Sequence, residues 1–436
     1  MFEKKNGLLI LLATICVLSL LVSACAKTPD KPADKTSATP AHKRADTAAS
    51  DTALPTQEQV WDNPSYYTSD LATHPLAETE AGYYVFLNNL LYYVDKVSLE
   101  AVLLSGQPYS PEELLASRDK LAQSDAYFGD SASVFYRGDR LLILSPSFSQ
   151  EESCQLLELG LEGGDRKELT SLTISTQFCL LGDTLYAIKN TITEQSDRLS
   201  TLVSYDLASK SYKEYPPFPD EMRGGLNLQI QRLLPYKGKV YMETIVAWED
   251  REDSVVYCLD PPSEAASLFV GRFQDQDQKE ERVLQSLTFY EDKVLINTSK
   301  EEAQSLKADN QVLQWEGEEI SPFKQVDWPL VLLGNGRDLL QVPSEVTWVS
   351  HVFPMGEDYA ENAKASLTLS TFENDQNSNQ SSKQSLTLDP QLLTSKMFPI
   401  IMVNAAGEPL IYNNPGNPGD LAYLLMLQEG EFKRLP

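Results

Sequence analysis

Groups able to do chemistry are sparse in this chain of 436 residues. It has three histidines, His42, His74 and His351. None sits at a metal-ligating spacing, and no HExxH pair occurs, so a mononuclear histidine-rich metal site is excluded. His351 alternates with apolar neighbours in "WVSHVF" and reads as a partly buried strand residue. It has none of the partners that a nucleophile–base arrangement requires. "FGDSAS" (128–133) lacks the second glycine of a nucleophile elbow. "LGNGRD" (333–338) is half of a phosphate loop and lacks the helix start. The repeated aspartate box of sialidases is absent, and "VWDNP" and "VDWP" are isolated. The sequence therefore yields no catalytic, cofactor-binding or metal residue.

Carboxylates are abundant, with 63 Asp and Glu, so a neighbouring pair carries little information. "WEDREDS" (248–254) reads as a solvated hairpin tip. "DQDQKEE" (275–281) and "ENDQNSN" (373–379) place oxygen ligands at alternate positions. A calcium loop also needs a glycine at its sixth place, counted here from Asp275 or Asp375, and neither has one. Trp248, Trp315, Trp328 and Trp348 could line a ligand surface, although buried Trp is chiefly core. Cys154, Cys179 and Cys258 lie in apolar, strand-like surroundings without a CxxC spacing. They read as buried small hydrophobes.

The N-terminus carries the most specific signal. Lys4 and Lys5 precede an apolar run, Leu8 to Leu21, that is shorter than the roughly 20 residues of a comfortable span. It ends at Val22-Ser23-Ala24-Cys25, an aliphatic residue, two small residues and a cysteine. This resembles the lipobox of bacterial lipoproteins. The resemblance implies cleavage before Cys25, a diacylglycerol thioether on its sulfur, and anchorage at the outer face of the cell membrane. Cys16 lies inside the apolar run without small residues before it and reads as an ordinary apolar residue. Residues 26–53 are rich in Ala, Thr, Lys, Asp and Pro and hold almost no large apolar side chains, so ordering them gains little against chain entropy. The organisation expected is a signal peptide at 1–24, a lipidated cysteine and disordered linker at 25–60, and a folded domain at 61–436.

The net charge of −27 becomes −29 for the folded part, because signal and tether each carry one net positive charge. That excludes nucleic acid as a partner and close apposition to anionic lipid. The body repeats a motif of apolar strand, tight polar turn and second strand. The first apolar residues after the turns are Leu91, Leu141, Leu185, Val240, Val294, Leu339 and Leu410. Asn88-Asn89, Gly138-Asp139, Gly182-Asp183 and Glu291-Asp292 have turn chemistry. A second hairpin follows most of these, clearest at 202–218. Two hairpins per unit give four antiparallel strands, the size of a propeller blade. The fold expected is an all-β propeller. Seven blades are favoured within a range of six to eight, and a pair of β-sandwiches is the alternative. "SPEELLASRDKLAQS" predicts one helix with a capping box from Ser110 to Glu113, docking through Leu114, Leu115 and Leu121. "TFENDQNSNQSSKQ" (371–384) predicts an exposed loop.

"GYYVFLNNLLYYVDK", followed by a leucine-rich strand, resembles the opening of lipoprotein propellers of Gram-positive bacteria, specifically over residues 82–105. Many such proteins carry a Cys/His cluster just after this strand. Here the segment reads "LLSGQPYSPEELLASRD", so the metal or disulfide role of that cluster does not transfer. The expectation is a lipid-anchored binding or interaction module without enzymatic activity, taking a protein or glycan ligand. The alternatives are a carbohydrate-active hydrolase or lyase working through carboxylates, whose sites leave little linear signature, and an importer's solute-binding subunit.

Overall fold

The computed structural model describes residues 65–66, 74–147 without 108, 130 and 131, 153–174, 178–192, 198–215, 227–247, 252–261, 267–270, 273–274, 281–290, 293–300, 310–316, 319–322, 330–334, 339–343, 368–372, 383–387, 400–413 and 422–435. All lie in Pro55–Pro436, the second of two units into which the chain divides. Strand β1 is Ser65–Tyr66. Blade 1 is β2 (Leu76–Glu78), β3 (Gly82–Leu87), β4 (Leu90–Asp95) and β5 (Ala101–Leu103). Helices α1 (Pro111–Leu115) and α2 (Arg118–Gln123) follow. Blade 2 is β6 (Ser133–Arg137), β7 (Arg140–Ser147), β8 (Ser153–Gly160) and β9 (Lys167–Leu172). Blade 3 is β10 (Phe178–Leu181), β11 (Thr184–Ile192), β12 (Arg198–Asp206) and β13 (Tyr212–Glu214). Blade 4 is β14 (Asn227–Tyr236), β15 (Lys239–Ala247), β16 (Glu252–Leu259) and β17 (Ser267–Val270).

Blade 5 is β18 (Phe273–Gln274), β19 (Glu281–Tyr290), β20 (Lys293–Lys300), β21 (Asn310–Glu316) and β22 (Glu319–Pro322). Blade 6 is β23 (Leu330–Gly334), β24 (Leu339–Pro343), β25 (Thr368–Phe372) and β26 (Lys383–Thr387). Blade 7 is β27 (Ile400–Val403), β28 (Pro409–Asn413), β29 (Tyr423–Gln428) and β30 (Glu431–Leu435). Pairing within each blade is antiparallel, and one parallel bridge, Leu199↔Leu228, joins blades 3 and 4 into a continuous sheet.

The blades form a ring because each strand sheds its apolar residues to both sides. In β3, Tyr83, Val85 and Leu87 join a core with Leu410, Tyr412, Leu424 and Met426 of blade 7. Tyr84 and Phe86 join a core with Val134, Leu141 and Ile143 of blade 2. Further cores lie between blades 2 and 3, 3 and 4, and 4 and 5. The backbone of β23 approaches β19 on one side and β27 on the other, placing blade 6 between its neighbours. A strand covered on both faces reads as a continuous apolar run rather than an alternating one, which is why "GYYVFL" is buried throughout. The architecture is a closed seven-bladed β-propeller. β1 pairs with β27, Ser65 opposite Val403 and Tyr66 opposite Met402, and so extends blade 7 beyond its first strand.

All seven anchor residues follow hairpin turns. Asn88 and Asn89 adopt φ of 52° and 64°, the left-handed pair that a two-residue hairpin needs. Leu141, Leu185 and Val240 lie on the second strand of their blades and Val294 on the third, and all four face the preceding blade. Leu91 lies on the third strand of blade 1 and faces blade 2 instead.

Three local expectations are corrected. The single helix over 110–124 is two short ones. Ser110 makes the predicted capping box, but the first helix ends at Leu115 and Ser117 caps the second. Leu114 is buried in the core between blades 1 and 7, whereas Leu115 is exposed because the break turns it outward. The tip expected at 248–254 is strand from Glu252, where Glu252 and Asp253 pair with Ala247 and Val246. The loop expected at 371–384 is entered and left by strand, since β25 runs through Phe372 and β26 starts at Lys383.

Blades 1 and 7 close the ring through polar groups as well as the apolar core. Glu78, with its side chain 5% exposed, accepts from Lys96 Nζ at 2.6 Å and from the Ala405 N–H at 2.8 Å. Lys96 Nζ lies 4.8 Å from the Tyr83 ring centre, and Asn404 Nδ2 donates to Tyr83 Oη. Tyr412 Oη donates to the Phe86 carbonyl at 2.8 Å. Replacing Glu78 by Ala leaves the Ala405 amide without this acceptor and Lys96 without its counter-charge. The expected cost is roughly 1–3 kcal/mol, read by urea unfolding. Amide exchange should accelerate first in β29 and β30. A uniform acceleration over all blades would show that this seam does not govern opening.

Candidate functional site

Among the described residues, buried polar groups recur at one depth of the ring. Counting from the tight turn of the first hairpin, the fifth pair is Ser133↔Leu144 in blade 2, Arg232↔Glu243 in blade 4 and Ser286↔Asn297 in blade 5. These five polar residues are all buried. In blades 4 and 5 the register shifts just beyond this pair, between Ile230 and Arg232 and between Leu284 and Ser286. Gln231 and Gln285 are thus extra residues, and such bulges re-aim the side chains beside them. The first strands of neighbouring blades approach one another, β2 to β6, β10 to β14 and β19 to β23, as the inner edges of wedges around an axis must. Ser133, Arg232 and Ser286 of the tier lie on β6, β14 and β19, and Glu243 and Asn297 on the strands paired with the last two.

His74, two residues before β2, joins the tier. Its N–H donates to Ser133 Oγ at 2.8 Å, and its carbonyl accepts from the Val134 N–H. Its Nε2 lies 2.8 Å from the Phe178 carbonyl, so Nε2 carries the proton. The residue is half-buried overall, with its imidazole enclosed between the rings of Phe135 and Phe178 at 5.0 and 5.5 Å. Burial pulls its pKa down to about 4. The hydrogen bond to Phe178 opposes this fall, and the positive charge of Arg232 adds to it. The ring is neutral at pH 7 and bridges blades 1, 2 and 3.

Arg232 and Glu243 form a buried ion pair, Nε to Oε2 at 3.3 Å, with both side chains 6% exposed. Glu243 Oε1 accepts from the Leu287 N–H of blade 5 at 2.6 Å. Burial raises the Glu243 pKa, while Arg232 and the Leu287 amide oppose that rise. In blade 5 the equivalent positions are neutral, and Asn297 Nδ2 donates to Ser286 Oγ at 3.0 Å. Among the described residues Arg232 Nη1 is buried with no hydrogen-bond acceptor.

Cys154, Cys179 and Cys258 are buried, as their surroundings implied, and none of the three is in a disulfide. Burial pushes the Cys258 thiol up to about 11 and Cys179 higher, so neither is a thiolate nucleophile at neutral pH. Trp315 packs half-buried against the core between blades 4 and 5. Among the described residues no group of three or more His, Cys, Asp or Glu is placed to hold a metal ion. Val22, Ser23, Ala24, Cys25, His42, His351, Trp248, Trp328, Trp348 and 373–379 lie outside the described residues, as do 275–280.

Sequence alone gives His74 no role and does not reveal the tier. One signal for it was present. Ser133, Arg232 and Ser286 each stand eight residues before an anchor, Leu141, Val240 and Val294, in strands that are otherwise largely apolar.

No family model matches the chain, and no curated sequence does. Solved structures with a similar fold include the β-propeller domain of the Trilobed protease from Pyrococcus furiosus, which has an open velcro topology. It is 12% identical over 68% of this chain and 82% of that one, with a TM-score of 0.40. A polysaccharide lyase, an ulvan lyase, is 8% identical over 86% of this chain and 97% of its own, with a TM-score of 0.45. A putative 6-phosphogluconolactonase from Bacteroides uniformis is 12% identical over 68% and 82%, with a TM-score of 0.40. Likenesses of this degree assign no activity.

Two outcomes test the tier. An unfolded histidine takes up its proton near pH 6.5, and His74 in the folded chain does so near 4. Stability present above pH 6.5 should therefore be lost as pH falls towards 4, by about 2–3 kcal/mol. His74→Gln should flatten that window in urea-unfolding curves taken at successive pH values. For the ion pair, Glu243→Leu alone should cost roughly 3–5 kcal/mol, and Arg232→Met with Glu243→Leu should recover most of it. Equal losses in the single and double variants would show that Arg232 does not need Glu243.

Proposed function

We propose that the chain is a lipid-anchored, extracytoplasmic propeller that acts as a binding module for a protein or glycan rather than as an enzyme. The observation that carries this reading is the use of the buried titratable groups in the tier. His74 is tied to a backbone carbonyl, and Glu243 to a guanidinium and a backbone amide of the next blade. Both span blade boundaries, which is what fixing a ring requires. A general acid or base must instead reach a substrate proton. Two buried thiols are held protonated. A ring so fastened offers its connecting loops as a recognition surface, and function in such folds lives in those loops.

The anchor rests on the 22–25 motif and the short apolar run before it. Two acyl chains hold much more firmly than one, because each buried methylene contributes about 0.8 kcal/mol. The low-apolar tract after Cys25 holds the acidic ring off the headgroups.

The hydrolase or lyase is the second reading, favoured by the 63 carboxylates and by the frequency with which such sites escape linear detection. One set of experiments separates the two. Cys25→Ala should abolish incorporation of radioactive fatty acid and release the protein to the medium, and unchanged labelling removes the anchor from the proposal. The purified chain should sediment with its insoluble glycan or protein target without releasing soluble fragments. Fragment release lost on replacing one channel Asp or Glu would replace the binding reading with the enzymatic one.

A further inference from the structure

We propose that the stretch leading into blade 1 is a strap, clipped to the channel side of the ring at β1 and again at His74, so that blade 7 can swing away from blade 1 only when β1 lets go of β27. Hydrogen bonds across blade boundaries fix the end of the ring that each clip occupies. The first-hairpin turns of neighbouring blades meet at one end. There Arg137 pairs with Asp183, and Glu78, beside the 79–82 turn, takes the Ala405 amide of the 404–408 turn. At the opposite end Asn88 accepts from the Ala422 N–H, and Leu90 bridges to Tyr127 after the helices.

β27 is the first strand of blade 7, with β28 on one edge and β1 on the other. β1 also approaches β23, the first strand of blade 6, so it lies on the channel side. Ser65 is opposite Val403, next to the 404–408 turn, and the antiparallel pairing sends the chain away from that end. The bond at this clip can be assigned. The Asn404 N–H goes to the Glu408 carbonyl, on the β28 side. Successive residues of a strand bond to alternate edges, so Val403 turns its N–H and carbonyl to Ser65. Pro409, opposite Val403 on the other edge, has no N–H to give. His74 forms the second clip at the far end. Its carbonyl takes the Val134 N–H and its Nε2 bonds the Phe178 carbonyl, near the starts of β6 and β10. The chain then enters blade 1, where the Pro75 carbonyl takes the Phe86 N–H.

The clips therefore stand on opposite sides of the boundary between blades 7 and 1. Tyr66 and His74 are joined by residues 67–73, outside the described residues, whose length reaches at most about 29 Å. That reach bounds the opening of the boundary while both clips hold. Each clip also presents the other. With His74 held, β1 meets β27 as an intramolecular partner at high effective concentration, which keeps in place a two-residue strand too short to pair by itself.

The test is amide hydrogen exchange at pH 7 on the full chain in a mild non-ionic detergent. Ser65→Pro removes the N–H that meets the Val403 carbonyl and should speed exchange of the Val403 amide at least tenfold. It should also speed Ala405 and Ala422 several-fold. β1 pairs with neither, but both amides bond across the boundary to blade 1. Ser65→Ala keeps the N–H and should match the unsubstituted chain. His74→Gln should speed Val403 several-fold, although His74 bonds blades 2 and 3; if that variant fails to fold, Ser65→Pro decides. The amides of β16, paired on both edges within blade 4, should not change. Unchanged Val403 exchange in Ser65→Pro overturns the proposal. So does acceleration confined to Val403, and so does an equal acceleration in β16.

Discussion

A propeller blade is a sheet with two apolar faces, and neither face is covered until a neighbour stands on each side. That constraint makes closure the condition for all the rest. Six of the seven boundaries join blades consecutive in sequence, so their partners meet at far less loop-closure entropy than the ends of the chain. The seventh brings residues 76–94 against residues 402–435, more than 300 positions apart. Its apolar part repeats what every boundary does. Its polar part is particular: Glu78 takes the Lys96 ammonium and the Ala405 amide together, and Asn404 reaches Tyr83. An apolar interface tolerates sliding, whereas a carboxylate that must meet a defined amide fixes where blade 7 stops. Register at the seam is therefore set by hydrogen bonds, and the energy of closing comes mainly from the buried side chains, each worth about 1.5–3 kcal/mol when fully covered.

The same division holds inside the ring. His74 and the Arg232–Glu243 pair each tie neighbouring blades, and each charges a desolvation penalty for doing so. For His74 the penalty is visible in a pKa pulled down to about 4. An apolar pair of similar volume would stabilise as well or better, so stability alone does not account for the Arg–Glu pair. The contrast with Ser286 and Asn297, at the same depth of the next blade, makes the point directly. A neutral hydrogen bond suffices to hold that position, whereas in blade 4 the carboxylate also accepts the Leu287 amide of the next blade.

Much of the fold could be read from the sequence because its signals are local. Two-residue turns need Asn, Asp or Gly at fixed places, and Asn88-Asn89 and Gly182-Asp183 announce them without reference to the rest of the chain. The spacing of the anchors gave the seven units, and the Ser110 capping box was legible for the same reason. The break in the helix after Leu115 was not, because Ala116 and Ser117 are tolerable helix residues and the stop is Ser117 acting as a second cap. The displaced hairpin of blade 1 was illegible too. β2 is three residues long and too short to register as a strand, yet it puts the turn before Leu91 between the second and third strands of its blade.

The polar tier shows why candidate sites are harder to read than folds. A serine or an arginine in an apolar run looks like noise within one blade, and only superposition of the blades shows Ser133, Arg232 and Ser286 at a shared depth. Even then the alignment does not reveal His74, whose partners lie 59 and 104 residues away. Sequence periodicity reports what each blade has in common, whereas recognition depends on what one blade has alone.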